Sequence, residues 1–414
     1  MKKYGVIMAG GGGTRFWPLS RQKTPKQLLN LTGKEKMVNE AIDRLSYTAD
    51  KNDIFIVTNV TQVAPMLEAT AGRIQPDHIL PEPSARNTAA CVGYAAMEIL
   101  RKYGDGVMVI TPSDAYIKDT PAFTRVLAEA VKAAEEQDKL VTVGITPTFP
   151  STGYGYIKFG AAESAAMPVL EFKEKPDEET AKAYLATGQY AWNSGMFIWK
   201  ASTILEKFKA LIPDIYADLE KIGAAMGTAD EKAVINAVYP NIRKISVDYA
   251  IMEPSAAAGD VLVVAGEFGW NDVGSWDMMG VLHEADAQGN IGLGDTLAIN
   301  TTGTGFNHPL GYNITLYKGI PHGRACGVFM EEYFAYNARK EEGARLIAEF
   351  CAALGKTPAE VAADIVAWSD VNVKLTDEEI ALYIENVKGA GNYANAPYVI
   401  NVDEMKEIYE RLFK

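Results

Sequence analysis

The chain has 414 residues, 48% of them hydrophobic and 22% charged, which excludes a wholly disordered or collagen-like protein. At about 150 residues per domain, this length predicts two or three domains. The net charge of −13 argues against a broad nucleic-acid footprint or an anionic membrane surface as a partner. That charge still allows a few basic residues around one phosphate-bearing ligand.

The cysteine content and the N-terminus both favour a cytoplasmic protein. Cys91, Cys326 and Cys351 are too few and too scattered for a disulfide framework or a cysteine-based zinc site. The apolar run near the N-terminus is broken by glycines and is too short for a signal peptide, and no run approaches the ~18 apolar residues of a membrane span. We therefore expect reduced thiols, a cytoplasmic setting and no membrane contact.

The first 150 residues alternate short apolar runs, which predict buried parallel strands, with amphipathic stretches, which predict helices. The predicted strands are Val6–Ala9, Ile54–Thr58, Val107–Thr111 and Leu140–Gly144, and the predicted helices are Met37–Leu45, Thr88–Tyr103 and Pro121–Glu136. Thr120 is predicted to cap the last helix. This alternation predicts an α/β/α sandwich with ligands at the carboxyl ends of its strands.

Beyond residue 150 the pattern predicts a mixed region and then a helical end. The predicted strands are Tyr154–Phe159, Val169–Phe172, Met196–Trp199 and Val261–Ala265, and the predicted helices are Glu178–Ala186 and Ala201–Ile222. Residues 286–327, rich in Gly and Thr, predict turns between short strands. Asn337–Lys414 is strongly helical, with start signals at Thr357 and Thr376. We place a domain boundary near residues 280–290.

The strongest chemical signal lies in residues 5–31, where a predicted strand runs into Gly10, Gly11, Gly12 and Gly13, followed by Thr14 and Arg15. Backbone without side chains can approach a ligand closely and direct N–H groups at phosphate oxygens. Arg15 and Lys26 supply cations suited to a polyphosphate. The segment is neither a Walker A loop, which needs Lys and Ser/Thr after its last glycine, nor a dinucleotide fingerprint, because Arg15–Pro18 replaces the helix start.

This segment resembles the signature of the sugar-1-phosphate nucleotidylyltransferases, and its form over Trp17–Arg21 and Pro25–Gln27 is similar to that of the mannose-1-phosphate guanylyltransferases. The resemblance covers about residues 3–285 and implies a three-layer, Rossmann-like α/β/α nucleotidyltransferase domain with a mixed sheet. It implies that the glycine loop, with Thr14 and Arg15, holds the nucleoside triphosphate and that Lys26 assists at the phosphates. It also makes a homodimer a reasonable expectation.

A second segment, residues 81–88, precedes a helix rich in small residues and by itself indicates only a loop with a helix cap. It is similar to the P-E-P-x-x-R-N-T-A stretch that lies near the nucleobase in the guanylyltransferases. A carboxylate such as that of Glu82 can accept from N1–H and the exocyclic amine of guanine, a pairing that adenine cannot offer. Recognition of guanine by Glu82 and Asn87 is therefore our hypothesis.

Two aspartates follow distant strand ends: Asp114 comes shortly after Val107–Thr111, and Asp272 lies between Trp270 and Trp276. Taken alone, Asp114 is equally compatible with a turn. Two converging carboxylates beside a triphosphate suit Mg²⁺, which takes few protein oxygens together with substrate phosphates. The resemblance points the same way, since Asp114 matches the first metal-binding aspartate of the family and Asp272 the second.

The segment Phe172–Pro176 resembles the F-x-E-K-P motif of the family, which implies that Lys175 meets the phosphate of the sugar phosphate and Glu174 a sugar hydroxyl. By itself such a charged run is typical of a solvated surface. Gly155 and Asn193 complete the predicted sugar pocket. Gly155 lets the backbone approach the ring, and Asn193 can donate and accept at adjacent hydroxyls.

Together these residues predict Mg²⁺-dependent, in-line nucleotidyl transfer from GTP to mannose 1-phosphate by a catalytic domain over residues 1–285. The four histidines lie outside every motif, as expected for a reaction that needs no protein nucleophile. Two alternatives stay open: another nucleotide or sugar, such as a manno-heptose 1-phosphate, and a catalytically silent nucleotide-sugar sensor. Residues 286–414, which show neither a hexapeptide repeat nor a clear cupin signature, are expected to serve packing or oligomerisation.

Overall fold

A computed structural model describes residues 1–11, 16, 19–21, 24–161, 164–274, 279–283, 307–390 and 396–414. The chain divides into two compact units, Met1–Leu282 and His283–Lys414. None of the helices within the described ranges is long and apolar enough to cross a membrane.

The first unit is built on a nine-stranded mixed sheet with a two-stranded sheet beside it. In chain order the strands are β1 (Lys3–Met8), β2 (Ile54–Asn59), β3 (Ile79–Glu82), β4 (Val107–Pro112), β5 (Tyr116–Ile117), β6 (Leu140–Ile145), β7 (Tyr156–Phe159), β8 (Ala166–Lys173), β9 (Tyr190–Lys200), β10 (Val261–Gly266) and β11 (Trp270–Asn271). The large sheet has the order β3-β2-β1-β4-β9-β6-β10-β8-β7, and β5 pairs with β11.

Strand direction determines where this sheet can bind a ligand. Strands β3, β2, β1 and β4 are parallel to one another, so their carboxyl ends meet at one edge. Strand β9 is antiparallel to both of its neighbours, β4 and β6. Strand β6 is parallel to β10, and β8 and β7 follow in antiparallel order. The predicted mixed sheet is confirmed.

Helices cover both faces of the sheet, which confirms the three-layer prediction. The helices of the first unit are α1 (Met37–Leu45), α2 (Val63–Ala69), α3 (Asn87–Lys102), α4 (Thr120–Gln137), α5 (Glu178–Thr187), α6 (Ala201–Leu211), α7 (Pro213–Ala225), α8 (Glu231–Val238), α9 (Glu253–Ala257) and α10 (Met279–Leu282). Alternation along β1 sends Tyr4 and Val6 into the core beneath α3, α6 and α7, and sends Ile7 into the core beneath α1 and α4.

Two local predictions in this unit are wrong. The single helix predicted over Ala201–Ile222 is two helices, because Pro213 opens α7 after Ile212 leaves the helical conformation. The cap of α4 is Asp119 rather than Thr120, since the Asp119 side chain accepts a hydrogen bond from the backbone N–H of Ala122. Thr120 and Pro121 occupy the first turn of that helix.

The second unit is helical over its described residues. Its helices are α11 (Asn307–Lys318), α12 (His322–Gly327), α13 (Met330–Asn337), α14 (Glu341–Ala353), α15 (Pro358–Ser369), α16 (Asp377–Val387) and α17 (Val402–Phe413). Thr357 and Thr376 both form capping boxes, as their start signals predict. The prediction of turns and short strands is wrong over residues 307–327. There Leu310 and Ile314 are fully buried one helical turn apart, so packing outweighs weak helix formers such as Gly311.

Candidate active site

A cavity of about 560 Å³ opens at the carboxyl ends of β1, β3 and β4. Six of the predicted site residues line it: Gly10, Gly11, Lys26, Glu82, Asn87 and Asp114. Gly12, Gly13, Thr14 and Arg15 of the predicted nucleotide loop lie outside the described residues. The edge of a sheet where parallel strands end is the usual ligand position in open α/β folds.

The described part of the glycine loop is held by buried amides. Nε2 of Gln27 donates to the backbone carbonyl oxygens of Ala9, at 2.8 Å, and Gly11, at 3.1 Å. The same nitrogen lies 2.9 Å from Oε1 of Gln62, and the Thr58 hydroxyl donates to Ala9 at 3.0 Å. Sequence reasoning missed the roles of Gln62 and Thr58. The sequence signal for this network was limited to Gln27, which directly follows the motif residue Lys26.

Glu82, the last residue of β3, has its carboxylate fixed from two sides. Oε1 accepts a hydrogen bond from the hydroxyl of Tyr239, and a Cβ atom at Gly10 would lie only 2.5 Å from Oε2. Burial raises the pKa of Glu82, and the hydrogen bond from Tyr239 opposes that shift. The absence of a side chain at Gly10 therefore makes room for Glu82 at the wall of the cavity.

Lys26 joins the two strand ends that carry the predicted metal ligands. Its side chain is only 4% exposed, and its Nζ lies 3.0 Å from Oδ2 of Asp114 and 2.6 Å from the backbone carbonyl oxygen of Asp272. The hydroxyl of Tyr154 donates to Oδ1 of Asp272 at 2.7 Å. The carboxylate of Asp114 and the backbone of Asp272, far apart in the sequence, thus meet at one buried ammonium group.

The donors at this point suit a divalent cation. Within the described ranges, Oδ1 of Asp114 and Oδ2 of Asp272 make no hydrogen bond or ion pair, so each carboxylate keeps one oxygen for another ligand. Those ranges contain no cluster of three or more His, Cys, Asp or Glu side chains able to hold a metal. Two carboxylates completed by substrate phosphates match the way in which Mg²⁺ is commonly bound.

The predicted sugar residues form a second cluster around Gly155. A Cβ atom at Gly155 would lie 2.5 Å from Oε2 of Glu174 and 3.3 Å from Cβ of Asn193. Nζ of Lys175 lies 2.5 Å from Oε1 of Glu174, and its side chain is 60% exposed. Burial lowers the pKa of Lys175, but the hydrogen bond and ion pair with Glu174 raise it by more. The pKa of Lys175 is therefore above its ordinary value. The structure therefore brings all four predicted residues together.

Asp248 belongs to this cluster and was missed from the sequence. Its Oδ1 accepts a hydrogen bond from Nδ2 of Asn193 at 3.0 Å. Burial, together with the negative charge of Glu174, raises the pKa of Asp248 to about 6. It lies in a π-helical turn over Asp248–Met252, with a sequence that carries no local sign of a site.

Two further cations line the cavity and were not assigned from the sequence. Nε of Arg86 donates to the hydroxyl of Ser84 at 3.2 Å, and Lys244 precedes a segment that is hydrogen bonded to the start of α3. Neither makes an ion pair with a carboxylate in the described part of the chain. With Lys26, they give the described lining of this cavity three cations in a chain of net charge −13, which suits a phosphate-bearing ligand.

Left-handed backbone is concentrated around these residues. Five non-glycine residues in the described ranges have positive φ: Asn87, Asp138, Lys175, Val273 and Asp370. Asp138 and Asp370 end helices α4 and α15, where such a conformation is common. The other three lie at, or directly beside, predicted site residues, and Val273, a β-branched residue at φ 46°, follows Asp272. Strained backbone of this kind clusters at functional sites.

Comparisons with known proteins identify the family of the chain. Residues 4–289 match the family model described as nucleotidyl transferase. The xanthan biosynthesis protein XanB of Xanthomonas campestris pv. campestris (strain B100) is 40% identical over 300 residues, covering 72% of this chain and 63% of that protein. A mannose-1-phosphate guanylyltransferase of Salmonella montevideo is 38% identical over 316 residues, covering 71% and 63%.

A solved structure supports the same family through its similar fold. The crystal structure described as a mannose-1-phosphate geranyltransferase from Thermus thermophilus is 34% identical, with a TM-score of 0.64, covering 71% of this chain and 83% of that one. The chain spans less than two thirds of the length of the curated relatives above. Because the family model matches well over half of the sequence, the family predicted from the glycine-rich segment is confirmed, and the chain belongs to the nucleotidyl transferase family.

Proposed function

We propose that the chain is a mannose-1-phosphate guanylyltransferase, which makes GDP-mannose and pyrophosphate from GTP and α-D-mannose 1-phosphate. The observation that carries this proposal is the contact of one buried cation, Lys26, with both Asp114 and Asp272 beside a cavity whose wall includes Glu82. The similarity to a relative named mannose-1-phosphate guanylyltransferase supports the same substrates.

The reaction is an in-line displacement at phosphorus. An oxygen of the sugar 1-phosphate forms a bond to the α-phosphorus of GTP, while the bond from that phosphorus to the bridging oxygen breaks and pyrophosphate leaves. A phosphate monoester has its second pKa near 6, so the nucleophile is already ionised at neutral pH and no protein nucleophile is needed. The protein must bring two anions together in line, which is a task for fixed cations.

Each cation has a separate part in this proposal. Lys26 and Arg15 stabilise the charge that collects on the leaving pyrophosphate, and Lys175 holds the phosphate of the sugar in line. Burial fixes the position of Lys26, whereas Lys175, mostly exposed and paired with Glu174, can turn towards an incoming phosphate. Glu174, Gly155 and Asn193 bind the sugar ring through its hydroxyls.

The nucleotide is bound by the other half of the site. The glycine loop, from Gly10 through Gly13 to Thr14, directs backbone N–H groups at the phosphates. Glu82 and Asn87 read the guanine base. Members of the nucleotidyl transferase family generally use a divalent metal ion, and we assign Mg²⁺ to Asp114 and Asp272. When bound, the ion would neutralise charge on the reacting phosphates.

We further propose that residues 1–285 carry the catalytic chemistry, that residues 286–414 serve packing or subunit contact, and that the enzyme is a cytoplasmic homodimer. All residues assigned to the site lie in the first compact unit. Size-exclusion chromatography with light scattering tests the dimer directly. A monomer at micromolar concentration would contradict that part of the proposal.

A pyrophosphate-release assay tests the proposed function. The chain is incubated with Mg²⁺ and each pair drawn from four triphosphates (GTP, ATP, UTP, dTTP) and three sugar phosphates: mannose, glucose and manno-heptose 1-phosphate. We expect the highest turnover with GTP and mannose 1-phosphate. A better pair would assign the same chemistry to another substrate. Tight binding of GDP-mannose without pyrophosphate release from any pair would identify a sensor instead.

A further inference from the structure

We propose that Tyr239 sets the nucleobase preference of the cavity by holding the Glu82 carboxylate in place as a pure hydrogen-bond acceptor. This inference rests on the proposed function, because Glu82 is assigned to the nucleobase there. Tyr239 lies outside every sequence motif and is 157 residues from Glu82 along the chain.

The carboxylate of Glu82 has little freedom to move. Glu82 is 4% exposed and Tyr239 is fully buried. The Tyr239 hydroxyl donates to Oε1, while Oε2 lies only 2.5 Å from the position that a Cβ atom at Gly10 would occupy. The ring of Tyr239 packs edge to face on Tyr94 of α3, with centroids 5.7 Å apart. Tyr239 is therefore itself fixed, and it determines the position of Glu82 at the cavity wall.

The groups around Glu82 leave its charge dependent on that one hydrogen bond. Cys91 and Tyr94 face it from α3, and burial raises the pKa of both, so both are neutral near pH 7. Lys26, Arg86, Lys244 and Asp114 line the same cavity, yet within the described residues Glu82 forms no ion pair. Burial raises the pKa of Glu82, and the hydroxyl of Tyr239 is the partner that favours the ionised form.

The charge of Glu82 decides which purine it can pair with. An ionised carboxylate only accepts hydrogen bonds, which matches N1–H and the exocyclic amine of guanine. A protonated carboxyl group donates one hydrogen bond and accepts another, which matches N1 and the N6 amine of adenine. Because the hydroxyl of Tyr239 needs an acceptor at Oε1, it opposes protonation and so favours guanine.

The test compares wild type with Tyr239→Phe and the matched variant Tyr4→Phe in the full chain. Tyr4 is also fully buried, but its hydroxyl donates to the backbone carbonyl oxygen of Tyr103 at 3.0 Å. Calorimetry measures GTP and ATP binding, and kcat/KM is measured for both, from about pH 6 to about pH 9. At pH 7 we expect Tyr239→Phe to lower the GTP-to-ATP ratio by up to roughly 10- to 100-fold, the size of one lost charge-assisted hydrogen bond.

The pH dependence separates this role from a merely structural one. In Tyr239→Phe the carboxyl group protonates at higher pH than in wild type, so the ratio should recover as pH rises, whereas Tyr4→Phe should follow wild type throughout. If Tyr239→Phe does not fold, Glu82→Gln, which keeps an acceptor for Tyr239, should show a low and pH-independent ratio. The inference is overturned if the ratio in a folded Tyr239→Phe protein is unchanged or is lowered equally at every pH, or if the ratio in Glu82→Gln is unchanged.

Calorimetric binding measurements distinguish a failure of this inference from a failure of the proposed function. A wild-type chain that prefers GTP in calorimetry but releases no pyrophosphate overturns the function, and the loss of that preference in Tyr239→Phe would still support the role of Tyr239. A chain that releases pyrophosphate from GTP with the same ratio in all variants supports the function and overturns the role of Tyr239.

Discussion

Glu82 lies too close to Gly10 for residue 10 to carry a side chain, because a Cβ atom at Gly10 would lie 2.5 Å from Oε2 of Glu82. The first glycine of the loop, which follows β1, is therefore required by a side chain from β3, two strands away in the sheet, in addition to any contact with phosphate. The same relationship recurs at Gly155, where a Cβ atom would lie 2.5 Å from Oε2 of Glu174. On both sides of the site a glycine makes room for a carboxylate.

Gly10→Ala should destabilise the chain by about 1–3 kcal/mol, the cost of overpacking a filled site. Glu82 cannot simply swing away, since Tyr239 holds its other oxygen and the pair is buried. The matched control is Gly11→Ala, because a Cβ atom there would meet nothing within 4 Å. Urea unfolding measures both variants. Equal midpoints for the two would contradict the close contact between Gly10 and Glu82.

Lys26→Met should lower kcat by roughly 10²–10³, by analogy with the loss of one preorganised donor to a developing charge. The variant keeps the apolar stem in its buried position but removes the ammonium group from Asp114 and Asp272. Lys207→Met is the control, since Lys207 pairs with Asp260 at 2.6 Å near the surface. That pair should be worth about 1 kcal/mol or less, without an effect on turnover. Similar kcat values for both variants would exclude Lys26 from the chemistry.

Asp272→Asn should raise the Mg²⁺ concentration needed for half-maximal turnover at least about tenfold, because a charged oxygen ligand becomes a neutral one. The amide oxygen can still accept the hydrogen bond from Tyr154, so the local geometry is kept. Steady-state rates over a Mg²⁺ series measure the change, with Asp119→Asn, at the cap of α4, as a control outside the site. Near-full turnover at the wild-type Mg²⁺ concentration would defeat the metal assignment.

Asp248→Asn should change stability in a pH-dependent way. The pKa of Asp248 is about 6 in the fold, against an ordinary value of 3.8, so between these values the folded chain binds more protons than the unfolded chain. Wild-type stability therefore falls as pH rises from about 4 to about 6, whereas the variant lacks this loss. Between about pH 4 and about pH 8, the difference in free energy of unfolding between the variant and wild type should therefore shift in favour of the variant by up to about 3 kcal/mol. Urea unfolding at both pH values with an identical difference would contradict the raised pKa.

The sequence was sufficient to predict strands β1, β2, β4 and β6 and to select motif residues that the fold brings together, but it missed the parallel strand β3, in which only Ile79 and Leu80 precede Pro81 and Glu82. Strands β1, β2, β4 and β6 carry continuous apolar runs because both of their faces are buried. The first half of β9 was missed because Asn193 and Gly195, which has φ 72°, interrupt its pattern at the sugar cluster. Function there overrides the local signal that would identify a strand.

The residues that could not be predicted are those whose role depends on distant partners. Tyr239 acts on Glu82 across 157 positions, and Asp248 acts on Asn193 across 55. Gln62 reaches Gln27 across 35. Each is an ordinary residue in its own segment, so no spacing or composition distinguishes it. Only the fold brings such pairs together.

The left-handed conformations at Asn87, Lys175 and Val273 place stability and function in conflict when the protein is engineered. Each costs free energy of order 1–3 kcal/mol, and glycine would relieve it. A screen that rewarded heat resistance alone would therefore favour glycine at these three positions. The resulting proteins would be more stable to heat but would bind their ligands more weakly. Thermal stability and turnover must therefore be selected together at this site.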